Sequence, residues 1–168
     1  MATPRHTVPA MVRECVQKGI KAIVLVGQGF ADADEEGRAL QDEALRIARE
    51  GNARILGPNS VGVANAYRNF CPTYLPVEME RVPIALVSQT GHLFMGPSDF
   101  HLVGKGIDLA NSSDVDFADC LEYLGADPEV KVIVLHVECI RRGRRFLEVA
   151  RWVSRKKPIL AMKGGQSQ

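Results

Sequence analysis

At 168 residues the chain can hold one ample domain or two small ones, and its composition does not decide between them. A formal net charge of +1 gives no global reason to expect nucleic acid as a partner. No apolar run reaches the roughly 18 residues of a membrane helix, and the N-terminus lacks the charged-then-apolar order of a signal peptide. We therefore expect a cytoplasmic protein that binds neither nucleic acid nor membrane.

The first part of the chain alternates helical and strand-like patterns. Apolar residues at helical spacing predict a helix from Val8 to Lys18, and a continuous apolar run predicts a buried strand from Ile20 to Val26. A helix with an acidic start follows Asp32 and ends at Gly51, and Ala53 to Leu56 forms a short strand. Glycine loops after each strand are typical of a parallel α/β sheet, in which ligands gather at the carboxyl ends of strands.

The periodicity fails from Ala64 to Val82, where prolines punctuate a polar stretch. We interpret this stretch as a linker or crossing segment and place a domain boundary near Glu78. The sequence therefore predicts one domain over residues 1–77, including the linker, and a second over residues 78–168.

The second part restarts the alternation. We predict a strand at Ile84–Val87, a helix in the region Gly91–Val103, a turn at Gly104–Gly106 and a strand at Ile107–Ala110. The polar loop Asn111–Asp116 suits the N-cap of the next helix.

That next helix turns four apolar residues inward and leads to the clearest strand in the chain. A further amphipathic helix and a last strand follow, which is a flavodoxin-like order. The inward residues are Phe117, Cys120, Leu121 and Leu124, and the later elements are the strand Val130–Val137, the helix Arg142–Val153 and the strand Pro158–Met162.

The loop after the strand at Ile84 is rich in hydroxyl groups and leads into a helix. A strand, such a turn and a helix in this order place free N–H donors and a positive helix end at one point, which attracts phosphate or carboxylate. Simple N-capping by Ser88 or Thr90 is the alternative, and the sequence leaves it open. We interpret His92, in the first turn of the helix, as structural or solvated rather than catalytic.

The pair Gly27 and Gly29 does not extend into a dinucleotide-binding motif, because the third glycine would fall at Asp32. A bare glycine turn and a turn that faces a ligand both stay open at this strand end. No GxxxxGK[ST] element exists either, so we expect no P-loop nucleotide site in this chain.

Glu138 directly follows the strand Val130–Val137, and alternation along that strand puts it on the same face as His136. A carboxylate in this position can orient a histidine or hold a proton, or it can simply end the strand. A metal site is not expected, because no third ligand is evident and the four cysteines are widely spaced without a CxxC pair.

Six segments, in order and with similar spacing, resemble the NDP-forming acyl-CoA synthetases, that is, the acetate–CoA ligase (ADP-forming) group related to the succinyl-CoA synthetase α subunit. They are Val8–Cys15, Lys18–Ala22, Leu56–Val63, Ile84–Gly91, Asp114–Leu124 and Phe146–Arg151. The resemblance implies an α/β protein with a partial Rossmann-like CoA-binding domain, followed by a flavodoxin-like (succinyl-CoA synthetase-like) parallel-sheet domain.

The resemblance also implies roles for individual residues. A family histidine carries phosphate between an acyl phosphate and a nucleotide, and it rests on a loop at a helix start while a glutamate orients it. The matching residues are Ser88, Thr90 and Gly91 for the phosphate cradle, Glu138 for the glutamate, and Val26, Gly27, Gln28, Gly57, Pro58 and Asn59 for CoA binding.

The departures from the family pattern limit what we expect of this chain by itself. It begins after the family's glycine-rich phosphate turn and stops before the family's Ser-His-Thr-Gly segment, so we expect the phosphohistidine to lie outside it. His92 is not that histidine. Gly96 and Pro97 fall where the family keeps a regular helix, which predicts a distorted or shortened helix.

The expected parent reaction is acyl-CoA + ADP + phosphate to acid + CoA + ATP, or its reverse. The resemblance implies that ADP/ATP or GDP/GTP, with Mg, binds to a separate ATP-grasp domain or subunit, and that the present chain is inactive without this partner. Apolar surface left by missing halves would favour a homodimer. The alternative is a non-catalytic CoA- or anion-sensing module, such as the ligase-like regulatory part of a protein acetyltransferase.

Overall fold

The structure, a computed structural model, describes residues 1–72, 79–92 and 103–164. The chain forms two compact units, one from Met1–Ser60 with Ala110–Val115 and the other from Val61–Leu109 with Asp116–Gln168. The predicted boundary near Glu78 lies outside the described residues, so the division at residues 77 and 78 stays a prediction. Within the described ranges, no helix is long and apolar enough to cross a membrane.

The first unit is built from helices and parallel strands, as predicted. Helix α1 (Val8–Gln17) precedes strand β1 (Ala22–Val24), and helix α2 (Glu35–Glu50) precedes strand β2 (Arg54–Leu56). The strands pair in parallel, with Ile23 beside Ile55. Strand β1 is shorter than predicted at both ends and β2 lacks only its first predicted residue, and the Leu25 N–H just after β1 still donates to the Leu56 carbonyl at 2.9 Å.

The core of the first unit follows from the amphipathic pattern of its helices. Val8 and Val12, one helical turn apart on α1, are fully buried. They belong to a cluster that includes Ile23 and Ile55 from the strands and Phe30 from the loop after β1. Burying this stripe is what holds α1 and α2 on the strands, at roughly 25 cal/mol for each Å² of apolar surface removed from water.

The second unit contains a five-stranded sheet in the order β3-β5-β4-β6-β7. Strand β4 lies between β5 and β6, and these pairings are parallel, as is the pairing of β6 with β7. Strand β3 is antiparallel to β5 at the edge. The strands are β3 (Val63–Asn65), β4 (Ile84–Ser88), β5 (Lys105–Asp108), β6 (Val132–Val137) and β7 (Ile159–Lys163).

Strand β5 begins two residues earlier than the sequence predicts. Lys105 and Gly106 were expected in a turn, but both pair with β4. Gly104 permits this, because a Cβ there would lie 2.0 Å from the Val82 carbonyl oxygen, so only glycine lets the two backbones approach. The strand ends before Ala110, whose φ of 45° is left-handed.

Strand β3 lies in the stretch that the sequence analysis interpreted as a linker. It has only 3 residues, which is too short to show a periodic pattern. The Asn65 side chain then accepts hydrogen bonds from the N–H groups of Tyr67 and Arg68, which forms a turn after the strand, and Phe70 pairs back with Asn65.

Two helices complete the described part of the second unit. Helix α3 (Phe117–Ala126) begins with a capping box, in which Asp116 and Asp119 exchange side-chain and backbone hydrogen bonds. Helix α4 (Gly143–Ser154) packs against it, with the Phe117 and Phe146 rings 6.2 Å apart edge to face. The predicted helix of the region Gly91–Val103, with its Gly96 and Pro97, lies mostly outside the described residues.

Candidate functional site

The loop that begins at Ser88 emerges from the middle of the five-stranded sheet. Ser88 is the last residue of β4 and is fully buried. It lies in register with Asp108 on β5 and with His136 on β6. Because these strands are parallel, the loop starts at the carboxyl edge of the sheet, where α/β folds place their ligands.

Hydroxyl groups organise this loop internally. The Thr90 N–H donates to Ser88 Oγ at 2.9 Å, and the Ser88 hydroxyl donates to the Thr90 carbonyl, also at 2.9 Å. The His92 N–H lies 3.4 Å from Thr90 Oγ1. Each hydroxyl thus accepts from the N–H two residues ahead, a local bond that N-capping also uses, while the helix itself lies mostly outside the described residues. A bound anion would compete with the hydroxyls for these two N–H groups.

Gly91 allows the loop to pack closely on the sheet edge. A Cβ added at Gly91 would lie 2.9 Å from Val61 Cγ1 and 3.7 Å from Asp108 Oδ2. Val61 is itself held in place, since its N–H donates to Asp108 Oδ2 at 2.8 Å. A side chain at position 91 would therefore move the loop that the sequence analysis assigned to the phosphate cradle.

The structure brings Glu138 next to this loop through a residue that the sequence analysis did not single out. Gln89 Oε1 accepts hydrogen bonds from the N–H groups of Glu138 and Cys139, each at 2.8 Å. The Gln89 N–H donates to the His136 carbonyl at 3.2 Å. No local pattern signals these contacts, because their partners are 49 and 50 residues away in the chain.

His136 and Glu138 flank the residue that follows β7. A Cβ added at Gly164 would lie 3.2 Å from His136 Nε2 and 3.8 Å from Glu138 Cγ, so glycine leaves room for both side chains. His136 Nδ1 is buried and has no hydrogen-bond partner among the described residues. In the described ranges, no group of three or more His, Cys, Asp or Glu side chains could hold a metal ion.

In the first unit the structure joins the two loops assigned to CoA binding. The segment Val26–Gln28 follows β1, and the Gly57–Asn59 loop follows β2. The Asn59 N–H donates to the Gly27 carbonyl at 2.9 Å, and Gly57 has a φ of 105°, which only glycine adopts readily. Both loops therefore lie at the carboxyl edge of the strand pair.

A third segment completes this edge, and the sequence analysis missed its role. The Ser113 hydroxyl donates to the Gly57 carbonyl at 2.7 Å, and the Asn111 N–H donates to the Pro58 carbonyl at 3.2 Å. The Asn111 side chain also donates to Asp32 at 2.7 Å. The local signal for these contacts is the polar run after β5, which resembles the other strand-end loops but fits the N-cap of the next helix equally well.

Arg5 ties the loop after β1 to the start of α2. Its guanidinium donates to the Gly29 carbonyl at 2.8 Å and forms ion pairs with Asp34 at 2.8 Å and Glu36 at 2.7 Å. The hydrogen bond from the Gly37 N–H and the one from Arg5 hold the pKa of the Asp34 carboxyl below its usual range. The same hydrogen bond to Asp34 raises the pKa of Arg5.

We expect the chemical shift of the Gly37 amide proton to follow the titration of Asp34, with a midpoint pH below the usual pKa range of an aspartate. Because the folded pKa of Asp34 is depressed, the stability it contributes is present above the unfolded pKa and is lost as the pH falls through the folded pKa. NMR titration checks this. Arg5→Gln should move the midpoint upward, while Arg49→Gln at the exposed end of α2 should not. An unchanged midpoint in Arg5→Gln would contradict the assignment.

Comparison with known protein families accounts for almost the whole chain. Residues 1–66 match the model of a CoA binding domain. Residues 81–168 match the model of a succinyl-CoA ligase like flavodoxin domain. These matches correspond to the order of domains that the sequence motifs indicate.

Curated relatives align with the full chain. The α subunit of acetate–CoA ligase [ADP-forming] II from Pyrococcus furiosus is 38% identical over 174 residues, which cover 100% of this chain and 38% of that protein. Acetate–CoA ligase [ADP-forming] I from Archaeoglobus fulgidus is 34% identical, and the match covers 100% of this chain and 25% of that protein. The chain thus spans well under half the length of these relatives.

Solved structures show the same relationship. A protein of Pyrococcus horikoshii OT3 has a TM-score of 0.91 and 36% identity, covering 97% of this chain and 38% of that one. The dinucleotide-forming acetyl-coenzyme A synthetase 1 of Ca. Korarchaeum cryptofilum, solved with phosphate and ADP, has a TM-score of 0.91 and 29% identity, covering 98% and 37%. Together with the domain models, these matches show that the chain belongs to the NDP-forming acyl-CoA synthetase family.

Proposed function

We propose that this chain supplies the CoA-binding and phosphohistidine-cradling part of an ADP-forming acyl-CoA synthetase. The observation that carries the proposal is the meeting of Glu138 with the Ser88–Gly91 loop at the carboxyl edge of the sheet, through Gln89. A glutamate beside a hydroxyl-rich loop at the carboxyl edge of a parallel sheet suits an imidazole that carries a phosphoryl group.

The chemistry of the complete enzyme has three steps. Phosphate displaces CoA from the acyl-CoA, which forms an acyl phosphate and CoA. The phosphoryl group then passes to a histidine and releases the acid, and from the histidine it passes to ADP and forms ATP. In this chain Glu138 would accept the imidazole N–H and so aim the other ring nitrogen at the phosphoryl group. The donors of the Ser88–Gly91 loop would stabilise its negative charge.

CoA recognition falls to the first unit in this proposal. The loops after β1 and β2 meet at a strand edge, where the Asn59 N–H donates to the Gly27 carbonyl, and Gly57 lets the second loop lie close to the Leu25 carbonyl, so the two loops form one surface. The match to a CoA binding domain over residues 1–66 supports this assignment.

The remaining components belong to other parts of the enzyme. We place ADP/ATP or GDP/GTP, with Mg, on an ATP-grasp domain or subunit, since the relatives are longer proteins whose names include ADP-forming ligases. Homodimerisation of the chain stays a prediction, which light scattering tests. The relatives are ligases, so they do not favour the alternative of a regulatory module.

The test is formation of ATP from acetyl-CoA, ADP and phosphate by the complete protein with its ATP-grasp part. Glu138→Gln is expected to lower kcat about 100-fold or more with the KM for ADP unchanged, because it weakens orientation of the imidazole rather than nucleotide binding. Glu148→Gln, the same change on an exposed residue of α4, should have no effect. If the wild-type enzyme forms ATP and the Glu138→Gln enzyme has the same kcat, Glu138 does not orient the imidazole.

A further inference from the structure

Gln89 occupies the centre of the proposed cradle loop, but its side chain reaches the next strand. Its amide oxygen receives both N–H groups that follow β6, those of Glu138 and Cys139, at 2.8 Å each. The Gln89 N–H donates to the carbonyl of His136, the second-last residue of β6, at 3.2 Å. One residue of the loop therefore holds three backbone groups at the end of the neighbouring strand.

The chemistry of these contacts suits a neutral amide. An amide oxygen has two lone pairs, and both are used here. Because both partners are N–H donors, the oxygen and not the nitrogen of the side chain must face them. A hydrocarbon side chain of the same length could not accept these bonds, and a carboxylate would add a negative charge beside Glu138.

Glu138 depends on such support because it lies beyond the end of its strand. Strand β6 ends at Val137, and both Glu138 and Cys139 are exposed. Sheet pairing therefore no longer holds the backbone that carries the carboxylate. The contacts of Gln89 replace that pairing and connect the backbone of Glu138 to the same loop that contains Ser88 and Thr90.

We propose that Gln89 is a positioning residue that holds the Glu138 carboxylate at the correct distance from the phosphohistidine cradle. This inference rests on the proposed function, in which Glu138 orients the phosphorylated imidazole. Catalytic groups lose much of their effect when they are displaced by about 1 Å, so a residue that fixes the carboxylate contributes to phosphohistidine binding without touching it.

The test uses the 168-residue chain and a histidine peptide phosphorylated with phosphoramidate, whose binding is measured by NMR titration. Glu138→Gln should weaken binding about 10-fold, because it removes a charged hydrogen-bond acceptor. Gln89→Met should weaken it about 5-fold. In the double variant the loss should not exceed that of Glu138→Gln alone, because Gln89 acts through Glu138. Gln17→Met, at an exposed position near the end of α1, is the control.

A second measurement separates positioning from loss of structure. The amide proton shifts of Glu138 and Cys139 should move in Gln89→Met and return toward wild type in Gln89→Glu, which restores the acceptor. Because Glu138 and Cys139 are exposed residues, water can replace the lost acceptor, and Gln89→Met should fold normally.

The outcomes distinguish the two proposals. If Glu138→Gln weakens binding and Gln89→Met does not, the inference about Gln89 is wrong and the proposed function stands. Additive losses in the double variant would also overturn it, because Gln89 would then act independently of Glu138. If the wild-type chain does not bind the phosphorylated peptide, the cradle assignment fails and the inference fails with it.

Discussion

Lys105→Met is expected to lower the free energy of unfolding by about 3 to 5 kcal/mol, the largest effect of any single substitution that we predict. The Lys105 ammonium is buried with 5% of the residue exposed, and it bridges the carboxylates of Asp127 and Glu129, the latter at 2.6 Å. It also lies 5.2 Å from the Tyr67 ring centre. Methionine keeps the volume but removes the ammonium from Asp127 and leaves Glu129 with only the exposed Arg68, at 3.3 Å.

The pKa directions predict how this loss depends on pH. Burial lowers the pKa of Lys105, but hydrogen bonds to Asp127 and Glu129 outweigh it, so the pKa lies above its usual value. Burial raises the pKa of Asp127, but Lys105 holds it below its usual value. The ion pair between Lys105 and Asp127 thus contributes its full stability at any pH between the unfolded pKa of Asp127 and the unfolded pKa of Lys105. It is lost as the pH falls through the folded pKa of Asp127 or rises through that of Lys105.

Urea unfolding followed by tryptophan fluorescence measures this effect, because Trp152 is the single tryptophan and lies in the same unit as Lys105. The difference between Lys105→Met and wild type should narrow in acid, where protonated carboxyls no longer need the ammonium. Lys131→Met, a matched change at an exposed position, should cost little. A loss below about 1 kcal/mol near neutral pH would show that the cluster is no stronger than a surface ion pair.

Gly57→Ala is expected to cost about 2 to 4 kcal/mol of unfolding free energy and to reduce CoA affinity strongly. An alanine there would combine a φ of 105° with a Cβ only 2.5 Å from the Leu25 carbonyl oxygen. Relief of that contact must displace the loop after β2 or the segment that follows β1, which begins at Leu25. In the proposed function both of these elements bind CoA.

Gly19→Ala is a matched control that separates backbone strain from the clash. Gly19 also has a positive φ, 77°, but a Cβ there would meet nothing within 4 Å. We expect Gly19→Ala to cost about 1 kcal/mol and to leave CoA titration by calorimetry unchanged. Equal losses of stability in the two variants would show that strain alone accounts for the effect, and unchanged CoA affinity in Gly57→Ala would contradict the assignment of this loop.

The sequence predicted the elements whose patterns are long or carry strong end signals. Helix α2 has an apolar stripe over 16 residues and an Asp34 cap, and β6 is a continuous apolar run. Both appear close to where they were predicted. Strand β3 has only 3 residues and β5 begins beside Gly104, so their existence and start depend on partners from distant segments. Local patterns do not contain that information.

The residues of the candidate site also fall into those that the sequence predicts and those that only the structure reveals. Motif resemblance identified the family, which the relatives confirm, and it predicted Ser88, Thr90, Gly91 and Glu138 as site residues, which stays a prediction. It did not identify Gln89 or the return of Asn111 and Ser113 to the first unit. Those residues act through single hydrogen bonds to backbone groups far away in sequence, and such contacts leave no local pattern in the sequence.

The sequence by itself therefore determined the α/β class, because hydrophobic periodicity and turn chemistry are local properties, and its resemblance to the motifs of a known family indicated that family and the order of the two domain types. Only the tertiary structure decided that Lys105 is a buried bridging cation rather than a turn residue. Only the tertiary structure likewise showed that one glutamine connects Glu138 to the Ser88–Gly91 loop. The physical reason is that burial and hydrogen-bond partnership are set by which strands become neighbours, and sheet pairing joins segments that are distant in the chain.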